Sequence, residues 1–210
     1  MIFKDYLNNE IAEAAYTHFN TGMPDWWWNK AIKRDGYSPE YYELSYGNNT
    51  LINKQKGLAK EDLIRGNFSY SFNRTAHPSD HVDCLCMECE LMKLFSGKEF
   101  SKFVTERTGV EVNEVTECFA SWYDSGDWLS SHHDTPNGKI GFIYQLSKDW
   151  KLEYGGILHY IADNGSIIAF VPEFNTLELF ALNEKDSLHC VTEVMENCPS
   201  KRLAISGWLK

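Results

Sequence analysis

Between residues 115 and 209 the chain breaks into eight short runs: 115–123, 127–133, 139–147, 156–161, 166–172, 176–182, 188–194 and 202–209. They are rich in β-branched and aromatic residues, and turn signals such as Pro136-Asn137-Gly138, Gly155-Gly156 and Asn164-Gly165 separate them. Eight such strands in succession predict an antiparallel double sheet, a jelly roll. The chain before them has another character. Residues 9–20 read as a helix, with Asn8 or Asn9 as cap and an apolar face of Ile11, Ala14, Ala15 and Phe19. Residues 36–66 are polar and rich in Gly, Asn and Lys, and read as a long irregular segment. Phe68 to Phe72 alternates as a strand does. Helices are expected around 87–95 and 97–107, the second with Ser96 as cap, Phe100, Phe103 and Val104 on one face, and Gly109 just past its end.

The fold class expected is therefore mainly β with N-terminal helices (α+β), built on a double-stranded β-helix or jelly roll. With 210 residues the chain has room for one domain with a sizeable core. Residues 1–114 would form a helical and irregular support that covers one outer face, and residues 115–210 the jelly-roll core. No apolar run approaches the roughly 20 residues of a membrane span, and the N-terminus has no signal-peptide pattern, so a cytoplasmic location is expected. Net charge is −10, which argues against a general nucleic-acid binder. It fits a small-molecule substrate or a basic protein partner, and serves solubility equally well. Oligomeric state is not legible.

Two clusters stand apart from the periodic pattern. Cys84, Cys86 and Cys89, with His81 or His77 nearby, hold enough sulfur for a zinc site. The usual second Cys-x-x-Cys half is missing, so buried or free thiols are the leading reading. Cys118, Cys190 and Cys198 read as structural. Trp26, Trp27 and Trp28 follow Pro24, and three adjacent rings cannot share one face. At least one is a candidate for a cleft or partner contact, against the plainer reading of packing on the sheet.

His132-His133-Asp134 carries the chemistry. Residues two apart on a strand point to the same side, so His132 and Asp134 can meet one ion while His133 faces away. His189, at the start of a later strand, completes two histidines and one carboxylate, the facial set that holds non-haem Fe(II) with positions left open. Arg202 opens the last strand. If strands 188–194 and 202–209 pair through the Asn197-Cys198-Pro199 turn, Arg202 enters the same barrel mouth as His189. A buried cation needs an anionic partner, and the distal carboxylate of a dicarboxylate would serve.

From Tyr123 to Lys210 the chain resembles the prolyl-hydroxylase group of Fe(II)/2-oxoglutarate-dependent oxygenases. The matching pieces run in order: Tyr123-x-x-Gly126 leading to His132-x-Asp134, Ile140 to Leu146, Trp150, Gly155 to Leu158, Val171-Pro172 with Asn175 to Phe180, Ser187-x-His189-x-Val191, and Arg202 to Trp208. Within that group it most resembles the ribosomal-protein prolyl hydroxylases. The likeness before Tyr123 is weaker, around Phe68 to Phe72 and the cysteines. The resemblance implies Fe(II) on His132, Asp134 and His189, and 2-oxoglutarate fixed by Arg202 with Tyr123 and Gln145 or Tyr144. It also implies O₂ as co-reactant and ascorbate as a stimulant. The carboxylate of Asp134 points to hydroxylation over halogenation.

Three departures qualify the match. Relatives usually have a tyrosine at the position of Gln145, whereas here the tyrosine is Tyr144, turned by parity to the other face. Ala204 stands where a small hydroxyl residue is usual. The ribosomal-protein hydroxylases also carry a second jelly-roll domain, so their substrate is not carried over. The leading expectation is hydroxylation of a prolyl residue in a peptide or protein, possible partners being basic, with Trp208 and Trp26 to Trp28 as substrate-side candidates. A free amino acid or other small molecule is the alternative substrate, and a non-catalytic metal-binding jelly roll the alternative class.

Overall fold

The computed structural model describes residues 1–24, 27–36, 41–43, 49–75, 86–162, 164–182 and 188–210. The N-terminal half contains β1 (Ile2–Phe3), α1 (Asn9–Thr17), a π-helical turn His18–Gly22, β2 (Trp28–Lys33), β3 (Tyr41–Glu43), α2 (Asn49–Ile64), β4 (Tyr70–Thr75), α3 (Met87–Ser96) and α4 (Lys98–Thr108). All eight expected downstream runs form strands. They are β5 (Val115–Tyr123), β6 (Trp128–His132), β7 (Ile140–Gln145), β8 (Leu158–Ile161), β9 (Ile167–Phe170), β10 (Thr176–Ala181), β11 (His189–Val191) and β12 (Arg202–Leu209). No described helix is long and apolar enough to cross a membrane.

The strands pair in the order β1-β10-β7-β12-β5-β4-β6-β11-β8-β9, with β2 on β4 and β3 on β2. One wall is β10-β7-β12-β5 and the other β6-β11-β8-β9. β4 hydrogen-bonds to both β5 and β6 and so joins them. One expectation fails here: β11 and β12 are not partners. β11 lies between β6 and β8, and β12 between β5 and β7. The turn at Asn197, with φ of 56°, therefore carries the chain between walls instead of closing a hairpin.

Alternation along the strands builds two cores. On β7 all six residues are buried. Ile140, Phe142 and Tyr144 belong to the cluster under the helices, while Ile143 faces the barrel interior. α3 and α4 close the helix side. Phe95 is fully buried and its ring lies 5.5 Å from that of Phe142 and 5.3 Å from that of Tyr144. α4 ends at Gly109 in the left-handed region, whose N–H donates to the Thr105 carbonyl, as expected. Its cap position is Gly97, not Ser96, which still belongs to α3. α1 is capped by the side chain of Asn8, but Ile11 is exposed and the buried residues are Ala12, Ala15 and Phe19.

The largest correction concerns residues 36–66, where α2 and β3 form in a stretch expected to be irregular. α2 buries only Ile52, Ala59 and Asp62 and carries Gly57, so its amphipathic signal is faint. Long lysine stems hold it in place. Lys56 Nζ lies 2.8 Å from Asp127 and donates to the Ser125 carbonyl, and Lys60 Nζ sits 5.0 Å above the Trp128 ring. Asp127 is fully buried and also accepts from Lys30 at 2.7 Å, Ser71 at 2.8 Å and the Asp124 N–H at 2.9 Å. This ion cluster ties β2, β4, α2 and the entry to β6. Asp127→Ala strands the buried Lys30 ammonium, and costs about 3–5 kcal/mol. A thermal melt should show Tm lowered by roughly 10 °C.

Candidate active site

β6 and β11 place His132 and His189 directly opposite each other, with ring centroids 4.2 Å apart. Asp134 follows the end of β6, at φ −98° and ψ 12°, and starts the short 3-10 turn Thr135–Asn137. It is not on the strand, so parity is not what aims it. The turn swings the carboxylate back over the two rings. Asp134 Oδ1 lies 3.3 Å from His132 Nε2, and Oδ2 lies 3.4 Å from His189 Nε2. Among the described residues this is the one group of three His, Cys, Asp or Glu side chains whose ligand atoms lie within 4.8 Å of one another.

The donor set fits a metal ion. Ligands about 2.0–2.2 Å from a metal and at right angles to each other lie roughly 3 Å apart. His132 Nδ1–H donates to the Ser130 carbonyl at 3.0 Å. A carbonyl cannot donate, so Nδ1 carries a proton and Nε2 is the nitrogen that faces Asp134, a donor to the carboxylate in the metal-free protein and a free lone pair for a metal that would sit between them. Burial alone would raise the Asp134 carboxyl, but hydrogen bonds and charge from His132 and His189 outweigh it. The net result lies well below the usual carboxylate range. Asp134 is thus an anion at any physiological pH, as a ligand must be. Trp208 Nε1–H donates to Asp134 Oδ2 at 2.9 Å and fixes the carboxylate's orientation. Trp208→Phe removes that bond, and Fe(II) affinity measured by competition with a chelator should fall by about 10–100-fold.

The cavity in front of these residues has a volume of about 510 Å³. Inward-facing positions of both walls line it, among them Phe119, Ser121 and Tyr123 of β5, Ile143 of β7, Phe180 of β10, and Arg202, Ser206 and Trp208 of β12. Phe68, Tyr70 and Phe72 form an aromatic file along one side, with successive centroids 5.7 and 5.2 Å apart, and Phe72 stacks on Tyr123 at 5.1 Å. Arg74 covers Phe119 at 3.8 Å and pairs with Glu117. Phe68 and Glu117 are exposed at the mouth.

Arg202 lies at the closed end, 2% exposed. It is not a surface arginine paired with Glu193 or Glu196. Its Nε–H donates to the Gly156 carbonyl at 2.6 Å, its guanidinium carbon lies 5.2 Å from the Tyr123 ring centroid, and its buried Nη2 has no partner. Gly156 makes this approach feasible. Its φ is +63°, and a Cβ there would meet Arg202 Cδ at 3.0 Å and Trp150 at 3.1 Å. The glycine pair read from the sequence as a turn thus also seats the cation. Burial pushes the Tyr123 hydroxyl far above the usual range, against the pull of Arg202, so it stays a neutral donor. An unpartnered guanidinium N–H in a dry pocket is what the far carboxylate of 2-oxoglutarate would occupy.

Other candidates fare differently. Tyr144 faces the helices, where its hydroxyl donates to Asn175 Oδ1 at 2.8 Å, so it is removed from the cosubstrate residues. Gln145 points into the barrel end and donates through Nε2 to Glu178 Oε1 at 3.1 Å. Trp208 lines the cavity, but Trp28 is 3% exposed in the helix-side core and Trp27 packs against the same core, so neither is on the substrate side. Trp26, His77, His81 and Cys84 lie outside the described residues. Cys86 and Cys89 are not in disulfides. No described residue of 36–66 lines the cavity. Sequence reading missed Phe72, Arg74 and Phe119 as lining residues. The alternation at Phe68 to Phe72 signalled an aromatic face without saying what it faces.

The family model described as the 2OG-Fe(II) oxygenase superfamily matches residues 118–210. Those residues are a 2OG-Fe(II) oxygenase domain. The family implies Fe(II) and 2-oxoglutarate, and His132, Asp134 and His189 are the candidate metal ligands among the described residues. Across 162 residues, 71% of this chain, the sequence is 30% identical to prolyl 3-hydroxylase OGFOD1 of Xenopus laevis. The chain spans about a third of that relative's length. In fold it is similar to the viral collagen prolyl hydroxylase of Paramecium Bursaria Chlorella virus-1, with TM-score 0.53, 13% identity, and coverage of 100% of this chain and 93% of that one. A prolyl hydroxylase from Trichoplax adhaerens, solved with a hypoxia inducible factor peptide, aligns with TM-score 0.51 and 15% identity over 95% of this chain and 89% of that one.

Proposed function

We propose that this chain hydroxylates a prolyl residue in a peptide or protein, with Fe(II) and 2-oxoglutarate. The observation that carries the reading is the cavity. Exposed Phe68 and Glu117 line it, the Phe68 ring lies 5.5 Å from that of His132, and the aromatic file runs on from Phe68 through Tyr70 and Phe72 to Tyr123. Flat aromatic faces suit the pyrrolidine ring and the extended backbone around a proline. The relatives named prolyl hydroxylases support the same substrate class. The net charge of −10 favours a basic partner through steering.

When bound, iron and 2-oxoglutarate supply the oxidation, in which 2-oxoglutarate, O₂ and a substrate C–H give succinate, CO₂ and a C–OH. The chain's own residues position and shield. His132, Asp134 and His189 hold the metal on one face, and Trp208 keeps Asp134 aimed. Arg202 and Tyr123 fix the cosubstrate from the closed end, and Phe72, Phe119 and Phe180 keep water away. Incubation with Fe(II), 2-oxoglutarate and proline-containing basic peptides, read by mass spectrometry, should show the gain of one oxygen atom on proline with matching succinate. Succinate formation that responds to free amino acids and to no peptide would overturn the peptide reading.

A further inference from the structure

Four buried polar atoms at the closed end of the barrel have no hydrogen-bond partner: Nη2 of Arg202, the hydroxyl of Tyr160, Oε1 of Gln145 and Oε2 of Glu178. Parity brings their residues to one place. Gln145 lies two residues beyond Ile143 on β7, and Glu178 two residues before Phe180 on β10. Ile143 and Phe180 line the cavity, so Gln145 and Glu178 point the same way, one step deeper. Gln145 pairs with Ala204, two residues after Arg202 on β12. Tyr160 comes from the opposite wall, with its ring 5.1 Å from that of Phe180.

Glu178 is the group that does not fit a simple anion site. An ionised carboxylate beside the space that Arg202 offers to an anion would repel it. The neutral acid has the opposite effect, because it carries an O–H donor. The groups that face Glu178 are Gln145 from β7, Arg202 from β12, Tyr160 from β8 and the N-terminal ammonium beside β1. Burial raises the Glu178 carboxyl above its usual range, against the Gln145 hydrogen bond and the charges of Arg202 and the ammonium. That ammonium already donates to the Leu179 carbonyl at 2.6 Å.

We propose that Glu178, as a neutral acid braced by Gln145, is a cosubstrate-binding residue that donates a hydrogen bond to the carboxylate received by Arg202. The pair takes the part that a tyrosine at position 145 would play. The inference rests on the assignment of this cavity to 2-oxoglutarate. Its consequence is proton linkage, in which the cosubstrate binds to the form of the protein that carries a proton on Glu178.

The test is calorimetric titration of the anaerobic Fe(II)-loaded protein with 2-oxoglutarate, from about pH 5, just above the ordinary glutamate range, to about pH 9. Affinity should fall with rising pH, by up to about tenfold per unit where Glu178 titrates. Buffers of different ionisation enthalpy should reveal proton uptake on binding in that range. Glu178→Gln, which stays neutral and keeps a donor, should bind with affinity that does not follow the wild-type slope. A wild-type protein that binds 2-oxoglutarate without proton uptake anywhere in the range overturns the proposal and leaves the cosubstrate site standing. The same slope in Glu178→Gln overturns it as well. Absence of binding at every pH overturns the cosubstrate assignment, and the proposal with it.

Discussion

Asp134→Ala should abolish turnover and leave a folded protein. The carboxylate is the sole anion between His132 Nε2 and His189 Nε2, at 3.3 and 3.4 Å. Removing it leaves two neutral imidazoles, which hold a divalent ion far more weakly than three ligands on one face. Loss of an outer hydrogen bond to a ligand costs about 10–100-fold in metal affinity, and loss of the ligand itself should exceed that. Product formation should drop by more than about 10³-fold, which is over 4 kcal/mol at 1.36 kcal/mol per tenfold. Asp134 sits at a turn beside a cavity and outside both cores, so circular dichroism and the thermal midpoint should change little. Metal binding measured directly by competition separates this outcome from misfolding. Undiminished Fe(II) affinity in the variant would remove Asp134 from the ligand set.

Arg202→Ala should act on the cosubstrate and spare the metal. The guanidinium is 2% exposed, is held by the Gly156 carbonyl at 2.6 Å, and presents an unpartnered Nη2. Truncating one member of a buried, hydrogen-bonded charge pair costs about 2–5 kcal/mol. At 1.4 kcal/mol per tenfold, the dissociation constant of 2-oxoglutarate should rise by roughly 30-fold to several thousandfold. Fe(II) affinity should stay near the wild-type value, since Arg202 offers no lone pair to a metal. Arg202→Lys should recover only part of the loss. A lysine has the charge but not the planar fork that serves Gly156 and a carboxylate together. Equal cosubstrate affinity in wild type and Arg202→Ala would place the far carboxylate elsewhere.

The jelly roll was legible because each of its eight strands is short, alternating and bounded by turn residues. The pairing of those strands was not. Sequence proximity across Asn197-Cys198-Pro199 reads as a hairpin, as it truly is for β8 and β9, yet β11 and β12 go to different walls, and that depends on contacts far apart in the chain. His132, Asp134 and His189 were found through residue type and spacing. The strand argument gave the right companion for His132 by a different geometry, since Asp134 comes back through a turn. Helix α2 was hidden because lysine ammonium groups and a buried aspartate hold it, where periodicity counts only apolar side chains. Tyr144 followed its parity and went to the helix side. Gln145 and Glu178 were hard to weigh for a related reason. A polar residue within a strand ordinarily reads as facing water, and only the burial of these two on neighbouring strands of one wall shows that they face inward.

The joint holding of Fe(II) and 2-oxoglutarate by His132, Asp134, His189 and Arg202 is tested most directly by optical titration without oxygen. Adding 2-oxoglutarate to the Fe(II)-loaded protein should raise a visible metal-to-ligand charge-transfer band that saturates at one equivalent. The band should be lost in Asp134→Ala, and in Arg202→Ala it should need far more 2-oxoglutarate. No band in the wild-type protein, or an undiminished band in Asp134→Ala, would contradict the assignment.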